Sequence, residues 1–297
     1  MLLTVPLDKT IEKINIIVSP SASVFTAMHI MSDQSIHFTG IFPEETYPIV
    51  YTTNYSTNNK WHGYQCHSNI IKTKGSQNLI DDLTFTKTDL RFLLINKKFF
   101  EECLHKIYGD IDLKPIHTSI AYHLKEEDID MFLNIHNRTM KNVKVPKEEI
   151  IQLLSKIFEE PIMDQLPFVK GYDLIQRATS LMSNHLKDPI LIKDLCRALD
   201  VSIRTLELSF KKHLNISPKL YYKRLLLLAI EIELRKTKED SVTNVINRYN
   251  IYNHSRFGAS FKDYFEKTPS DILKLDIKDN PFGWNERIFI EFSEYQA

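Results

Sequence analysis

Ile192-Lys-Asp-Leu-Cys-Arg-Ala-Leu199, then Asp200-Val201, then Ser202-Ile-Arg-Thr-Leu-Glu-Leu-Ser-Phe-Lys-Lys-His213 is the stretch whose reading decides the fold. In its first part Ile192, Leu195, Cys196 and Leu199 recur at spacings of three and four, so one face of a short helix is apolar. Cys196 is small, as a residue must be where two helices cross closely. Ser202 stands where an N-cap belongs, its hydroxyl able to accept from a free backbone N–H of the next turn. Leu206 and Phe210, four apart, turn a second helix inward. Arg204, Thr205, Glu207, Leu208 and Lys211 are left to share the outward arc. A short apolar helix, a turn and a second helix with polar side chains outward make a helix-turn-helix unit, and such a second helix fits the DNA major groove.

The plan recurs about 50 residues later. Ser241-Val-Thr-Asn-Val-Ile-Asn-Arg-Tyr249 reads as a supporting helix with Val242, Val245, Ile246 and Tyr249 on one face. Asn250-Ile251-Tyr252 makes the turn and Asn253 is a good N-cap. His254-Ser-Arg-Phe-Gly-Ala-Ser-Phe-Lys262 is the second recognition helix, with Phe257 and Phe261 inward. Between the units runs Ser217-Pro-Lys-Leu-Tyr-Tyr-Lys-Arg-Leu-Leu-Leu-Leu-Ala-Ile-Glu-Ile-Glu-Leu-Arg-Lys236, which Ser217 as N-cap and Pro218 at the first helical position start cleanly. About 18 helical residues span roughly 27 Å. Packing at both ends of that helix would hold two recognition helices near one DNA turn apart, about 34 Å.

Residues 171–275 resemble the AraC/XylS family of bacterial transcription regulators. The resemblance is carried by Asp194-Leu195, Val201-Ser202-x-x-x-Leu206-x-x-x-Phe210-Lys211, Ile216-Ser217-Pro218-x-x-Tyr221 and Arg224-Leu225-x-x-x-Ala229. The second half adds His254-x-Arg256-Phe257-x-x-x-Phe261-Lys262-x-x-Phe265-x-x-x-Pro269-Ser270. The His-x-Arg-Phe helix and the Pro-Ser-Asp-Ile-Leu273 ending look most like the ethanolamine-regulator branch. The family favours Gly at the two turns and after each recognition helix, where this chain has Asp200, Asn250, Asn215 and Glu266. Asn and Asp tolerate a left-handed backbone better than other non-Gly residues, so three exchanges are mild and Glu266 is the hard one. Ile246 is larger than the small residue usual at its place, which suggests looser packing in the second unit.

The resemblance places base-reading residues at Arg204, Glu207 and Leu208 in the first unit and at His254, Ser255, Arg256 and Ala259 in the second. An arginine can donate two bonds to a guanine edge, so Arg204 and Arg256 are the prime candidates. Glu207 has two readings, accepting from a cytosine amine or pairing with Lys211 at i+4. Lys211, Lys212 and Lys262 suit phosphates, which set position without reading sequence. Ser202, Thr205, Asn253 and Ser260 complete the expected DNA-facing set, and His213 reads as a surface histidine. The chain as a whole is neutral, with 38 basic and 38 acidic residues, but 171–275 holds 18 basic and 12 acidic ones. That split suits a DNA-binding part joined to a part that does not bind DNA; a solvated helical surface would also produce it.

At 297 residues, two domains are expected. The stretches 14–18, 36–41, 47–55, 64–73, 83–85 and 90–95 are rich in β-branched and aromatic residues and read as strands. The period then changes, and 97–108, 126–137 and 147–159 read as helices. The expected class is α+β: an N-terminal mixed sheet or partial barrel with helices, then an all-α tandem helix-turn-helix domain. The boundaries follow as 1–160 for a sensor or dimerisation-like domain and 161–170 for a linker broken by two prolines. The DNA-binding domain spans 171–275, with units at 192–213 and 241–263, and a tail at 276–297. Lys60-Trp61-His62-Gly63 has a counterpart in the ethanolamine-regulator branch. There Trp61 is read as packing a hairpin and His62 as exposed, with a pocket lined by Trp61, His62 and Tyr64 as the alternative. Helices 97–159 read either as a dimer seam or as packing within one chain. In the tail, Pro281-Phe-Gly-Trp284 reads as a turn and 287–292 as a strand.

Enzymatic readings find little support. Cys66, Cys103 and Cys196 lie far apart in no metal spacing and suit a reducing cytoplasm. A metal set of His62, Cys66 and His67 has nothing beyond proximity in sequence to recommend it. No Gly-rich phosphate loop occurs, so no catalytic residue, cofactor or metal is expected. Met1-Leu-Leu-Thr-Val-Pro6 is apolar but short, with Asp8 and Lys9 following, so no signal peptide is expected. No run of about 18 apolar residues suggests a membrane span. The expectation is a cytoplasmic transcription regulator, an activator, binding about 18 to 20 base pairs of promoter DNA across two successive major grooves. RNA polymerase, a small-molecule effector and a second copy of the chain are its candidate partners. The alternatives are an architectural DNA binder and a DNA-repair enzyme carrying the same module.

Overall fold

The computed structural model describes residues 2–7, 14–19, 24–41, 45–53, 59–66, 69–73, 79–84, 88–109, 116, 120–159, 166–237 and 240–275. The readings of Phe85, of His67 as a metal ligand and of the tail 276–297 fall outside the described residues.

The N-terminal half holds eleven described strands: β1 (Leu2–Pro6), β2 (Ile14–Val18), β3 (Phe25–Ser32), β4 (Ile36–Ile41), β5 (Thr46–Thr52), β6 (Lys60–Trp61), β7 (Tyr64–Gln65), β8 (Ile70–Thr73), β9 (Leu79–Thr84), β10 (Thr88–Asn96) and β11 (Ala121–His123). They form two sheets, in the orders β1-β4-β9-β6-β7 and β11-β8-β5-β10-β3-β2. The α+β class stands, and the described ladders are all antiparallel, which narrows the expected mixed sheet. Strand β10 explains the layering. Its run Leu90-Arg-Phe-Leu-Leu-Ile95 is apolar on both faces because both are covered. Leu90, Phe92 and Leu94 join the core shared with the five-stranded sheet, while Leu93 and Ile95 join a second core. That second core is closed by α1 (Lys97–Tyr108), α2 (Glu126–Met140) and α3 (Lys147–Ile157), through Phe99, Phe100, Phe132, Ile135, Leu153 and Leu154. The apolar positions of these three helices are thus used within the chain, which favours that alternative over a dimer seam.

The same alternation sorts the polar residues of β9. Asp82 lies between the sheets, where Lys72 of β8 donates to it at 2.7 Å and sits 4.9 Å over the Trp61 ring. Asp81 lies on the opposite side, toward the C-terminal helices. The turn joining β6 to β7 meets those helices too. Gly63 has φ +84°, and a Cβ there would lie 2.6 Å from Phe168 and 2.8 Å from Tyr172. Gln65 N donates to Pro167 O and Val169 N to Gly63 O, each at 2.9 Å, so 167–169 runs alongside the hairpin. Trp61 is fully buried, and its indole N–H donates to Thr73 O (3.1 Å) and Ile120 O (3.0 Å). His62, expected exposed, is buried: the hairpin folds under the helices instead of facing water. Trp61 and His62 pack there edge-on, with ring centroids 4.8 Å apart.

The C-terminal part consists of α4 (Tyr172–Asn184), α5 (Ile192–Leu199), α6 (Ile203–Leu214), α7 (Pro218–Lys236), α8 (Val242–Asn247), α9 (His254–Phe265) and α10 (Pro269–Lys274). Helix α7 is the axis. Thirteen of its 19 residues are buried, so neighbours cover most of its circumference. Two of its three buried charges are accommodated locally, Glu231 pairing with Arg235 one turn on. One hydrophobic core runs continuously from the five-stranded sheet through α4 and α7 into both helix-turn-helix units. At the junction Arg224 of α7 donates to Pro6 O at 2.6 Å.

Candidate nucleic-acid interface

Each unit is built from local signals. In the first, Leu195, Cys196 and Leu199 of α5 are buried against Leu206 and Phe210 of α6. Ser202 caps α6, accepting from Thr205 N at 3.0 Å and bonding the Thr205 hydroxyl at 2.8 Å. In the second, Val245 and Ile246 of α8 are buried with Phe257 and Phe261 of α9. Ser241, read as helical, is the N-cap of α8, and Asn253 caps α9 by accepting from Arg256 N at 3.0 Å. Ser217 caps α7 in the same way, accepting from Leu220 N. The large Ile246 is only 3% exposed, so the second unit accommodates it within its core.

The four places where glycine is usual all adopt the left-handed backbone. Asp200, Asn215, Asn250 and Glu266 have φ of 55°, 56°, 55° and 58°. For Asp and Asn this is a tolerated conformation; for Glu266 it is strain. The turns are also tied down from outside. Arg248 bridges Glu233 of α7 (2.6 Å) and Asp240, and Tyr249 Oη donates to Glu233 at 2.6 Å, so the end of α8 is fastened to α7. Asn250 Nδ2 donates to Asp188 at 3.2 Å, joining the second turn to the loop before α5.

The outward arcs carry the expected side chains. Ser202, Arg204, Thr205, Glu207, Leu208, Lys211 and Lys212 are exposed on the first unit, as are Asn253, Ser255, Arg256, Ala259 and Lys262 on the second. His254 and Ser260 are half-buried, and the His254 ring bonds Asn247 at 2.8 Å. Lys211 donates to Asn215 at 2.8 Å, one turn away from Glu207. Of the two readings of Glu207, the intrahelical pair is therefore not the one formed. Leu208 is 58% exposed, unusual for a leucine that has a core two residues away.

Two features were missed. His213, read as a surface residue, is buried, its ring meeting Tyr172 edge-on at 5.7 Å; burial pushes its imidazole down to about 4. Tyr252 is 79% exposed just ahead of the α9 N-cap, with its hydroxyl 3.2 Å from Asn250 Oδ1. The signal for it was in the spacing. From the left-handed residue to the first buried side chain of the recognition helix is six positions in the first unit (Asp200 to Leu206) and seven in the second (Asn250 to Phe257). The extra residue is accommodated in the turn, where Tyr252 stands in solvent.

All three cysteines are free and buried, and among the described residues no group of His, Cys, Asp or Glu is arranged to hold a metal ion. No helix among the described residues is long and apolar enough to cross a membrane. A pocket of about 610 Å³ opens beside the turn between α2 and α3, lined by Val24, Phe25, Val143, Val145, Pro146 and Lys147 among others.

A family model described as a helix-turn-helix domain matches residues 195–274. The HTH-type transcriptional regulator GbdR of Pseudomonas aeruginosa, in two strains, is 31% identical over 97 residues, covering 33% of this chain and 26% of that protein. The chain thus matches about a quarter of that relative's length. Among solved structures, unsaturated fatty acid-bound ToxT from Vibrio cholerae aligns over 90% of this chain and 96% of its own, with a TM-score of 0.37 and 14% identity. The AraC-like transcriptional activator CuxR aligns over 70% of this chain and 77% of its own, with a TM-score of 0.31 and 12% identity. Coverage is broad in both, but the superposition is loose.

Proposed function

Because residues 195–274 are a helix-turn-helix domain of the AraC type, we propose that the chain is a sequence-specific transcription regulator, an activator, that reads two successive major grooves. One observation carries the reading. Two capped helices, α6 and α9, expose arginine and lysine side chains, and the chain between them runs through a buried 19-residue helix that spans roughly 28 Å. Recognition helices set about 34 Å apart, one turn of duplex, would meet one face of the DNA.

The roles divide by chemistry. Arg204 and Arg256 offer bidentate donors to guanine, and Leu208 an apolar contact to a thymine methyl. Lys211, Lys212 and Lys262 neutralise phosphates, which makes binding steeply salt-dependent. Glu207, free of Lys211, accepts from a cytosine amine. The N-terminal half serves as the sensor. The pocket beside the α2–α3 turn has a volume within the range of small-molecule sites, and its walls mix apolar residues with Thr139, Asn142, Lys144, Lys147 and Glu148. Such a regulator works beside the chromosome in the cytoplasm, with RNA polymerase as the machinery it recruits.

The test is a selection from random double-stranded DNA with the full chain. Recovery of a motif of two boxes, about one helical turn apart, supports the reading. Binding without a motif, vanishing steeply with salt, would leave phosphate contacts alone and turn the assignment to an architectural DNA binder.

A further inference from the structure

Asp81 of β9 is 3% exposed and carries a network that crosses from the sheet to the helices. Its carboxylate takes the Nε2–H of His37 at 2.7 Å and the hydroxyl of Tyr172 at 3.0 Å. His37 Nδ1 lies 2.8 Å from the hydroxyl of Tyr221. A carboxylate only accepts, so the His37 Nε2 proton points at Asp81; in the neutral ring Nδ1 is then an acceptor, and Tyr221 donates to it. His37, Tyr172 and Tyr221 are wholly buried. Burial alone would push the Asp81 carboxyl up, but the hydrogen bond from His37 leads the interactions that outweigh it and hold the carboxyl below its ordinary value. Two helices, α4 through Tyr172 and α7 through Tyr221, therefore direct their hydroxyls to one sheet carboxylate, the first directly and the second through an imidazole.

The same two tyrosine rings bear on the inner face of α6. Tyr221 meets Phe210 at 5.6 Å and Tyr172 meets His213 at 5.7 Å, both edge-on. Phe210 and His213 are three residues apart, so they lie on one face of the helix about a turn from each other. A single contact would locate α6 without fixing its rotation about its own axis; two contacts on one face fix both. The opposite face bears Arg204, Leu208 and Lys211. Helix α9 is held by other means. Its Phe257 and Phe261 are buried in one core with Val245 and Ile246 of α8, and the Arg224 guanidinium of α7 lies 5.9 Å from the Tyr264 ring.

We propose that Asp81 is a positioning residue for DNA reading: through Tyr172 and Tyr221 it sets the roll of α6 and so the aim of Arg204 and Leu208 at the bases. This rests on the DNA-reading function proposed above. The sheet then takes part in specificity at one of the two boxes while touching no DNA. Loss of the network blurs the box read by α6 and spares the box read by α9, which a merely structural residue would not do.

The experiment uses the full chain and the duplex that the unaltered chain selects, with every base pair of both boxes substituted singly. Arg204→Ala identifies the box read by α6. Tyr172→Phe/Tyr221→Phe keeps both rings and deletes only the hydroxyls; Asp81→Asn keeps the shape and deletes the charge. The expected result is a loss of about tenfold in discrimination across the α6 box, the scale set by one base pair. Discrimination in the α9 box should hold within about twofold, as for an independent site. Equal flattening of both boxes, or an unaltered panel from folded Phe variants, overturns the inference while the DNA-reading function stands. An unaltered chain that selects no site overturns that function, and the inference with it.

Discussion

Glu266→Gly should stabilise the protein. Glu266 ends α9 at φ 58°, where an ordinary L-residue crowds its own carbonyl, at a cost of about 1–2 kcal/mol. Glycine relieves that crowding but gives the unfolded chain more freedom, which takes back about 0.4–1 kcal/mol. The difference leaves a net gain of about 0.5–1 kcal/mol from the backbone. Glu266 also sets a negative charge at the negative end of the α9 dipole, and removing it adds roughly 0.3 kcal/mol at an exposed site. Glu266→Gln isolates the charge, since glutamine keeps the crowding; the gap between the two variants is the backbone contribution. Asn250→Gly and Asp200→Gly serve as controls, because Asn and Asp already tolerate that conformation and the exchange to glycine should gain little or lose slightly. Urea unfolding of the full chain, followed by far-UV circular dichroism, reads all four. The continuous core from sheet to helices should give one transition, so midpoints convert to free energies by linear extrapolation. A Glu266→Gln gain equal to that of Glu266→Gly would refute the strain argument, and so would an Asn250→Gly gain as large as that of Glu266→Gly.

Other changes have signs of their own. Arg204→Ala should cost roughly 1–3 kcal/mol of binding and relax preference at one base pair, whereas Lys212→Ala weakens all sequences alike; titrating both against single-substituted duplexes separates them. Asp82→Ala strands the buried Lys72 ammonium and should destabilise by about 3–5 kcal/mol, while Lys72→Met/Asp82→Leu removes both charges and should unfold near the urea midpoint of the unaltered chain. Burial pushes His62 and His136 down to about 4 in the folded protein, whereas unfolded histidines titrate near about 6.5. Between those values the unfolded chain binds protons that the folded one refuses, so stability is full above about 6.5 and declines as pH falls toward about 4. Urea midpoints across that window measure the decline. His136→Met should reduce the slope by about one proton, and an unchanged slope would mean that this ring does not titrate as its burial implies.

Much of the C-terminal half was legible because its signals are local. Helix α5 and α7 begin and end where periodicity, Ser217 and Pro218 place them, and Ser202 and Asn253 cap as their residue types predict. The four turn residues adopt the left-handed backbone that their positions demanded. Long-range features were not legible. Strand β3, Phe25-Thr-Ala-Met-His-Ile-Met-Ser32, is buried on both faces, so it shows no alternation, and its Ala, Met and His are indifferent strand formers. Strand β1 looked only like a short apolar start. The stretch 64–73, read as one strand, is two, with β7 and β8 in different sheets. His37, His62 and His213 are hidden because the chain that covers each comes from elsewhere; His37 bonds residues 44 and 184 positions away. Nothing in a local window marks a histidine as buried when its cover is that remote.

Helix α7 is at once spacer and core, and this limits what the protein can become. Adding one residue to it would turn everything beyond the insertion by about 100° and bring Lys223 and Lys236, now in water, toward neighbours packed for leucine. On the proposed DNA-reading function, the bases under each recognition helix are open to drift by single outward substitutions on exposed positions. The interval between them has no such freedom, because every register of α7 but one dismantles the interior. Across descendants of this chain, target sequences would diverge within the two boxes while the gap between the boxes stays constant.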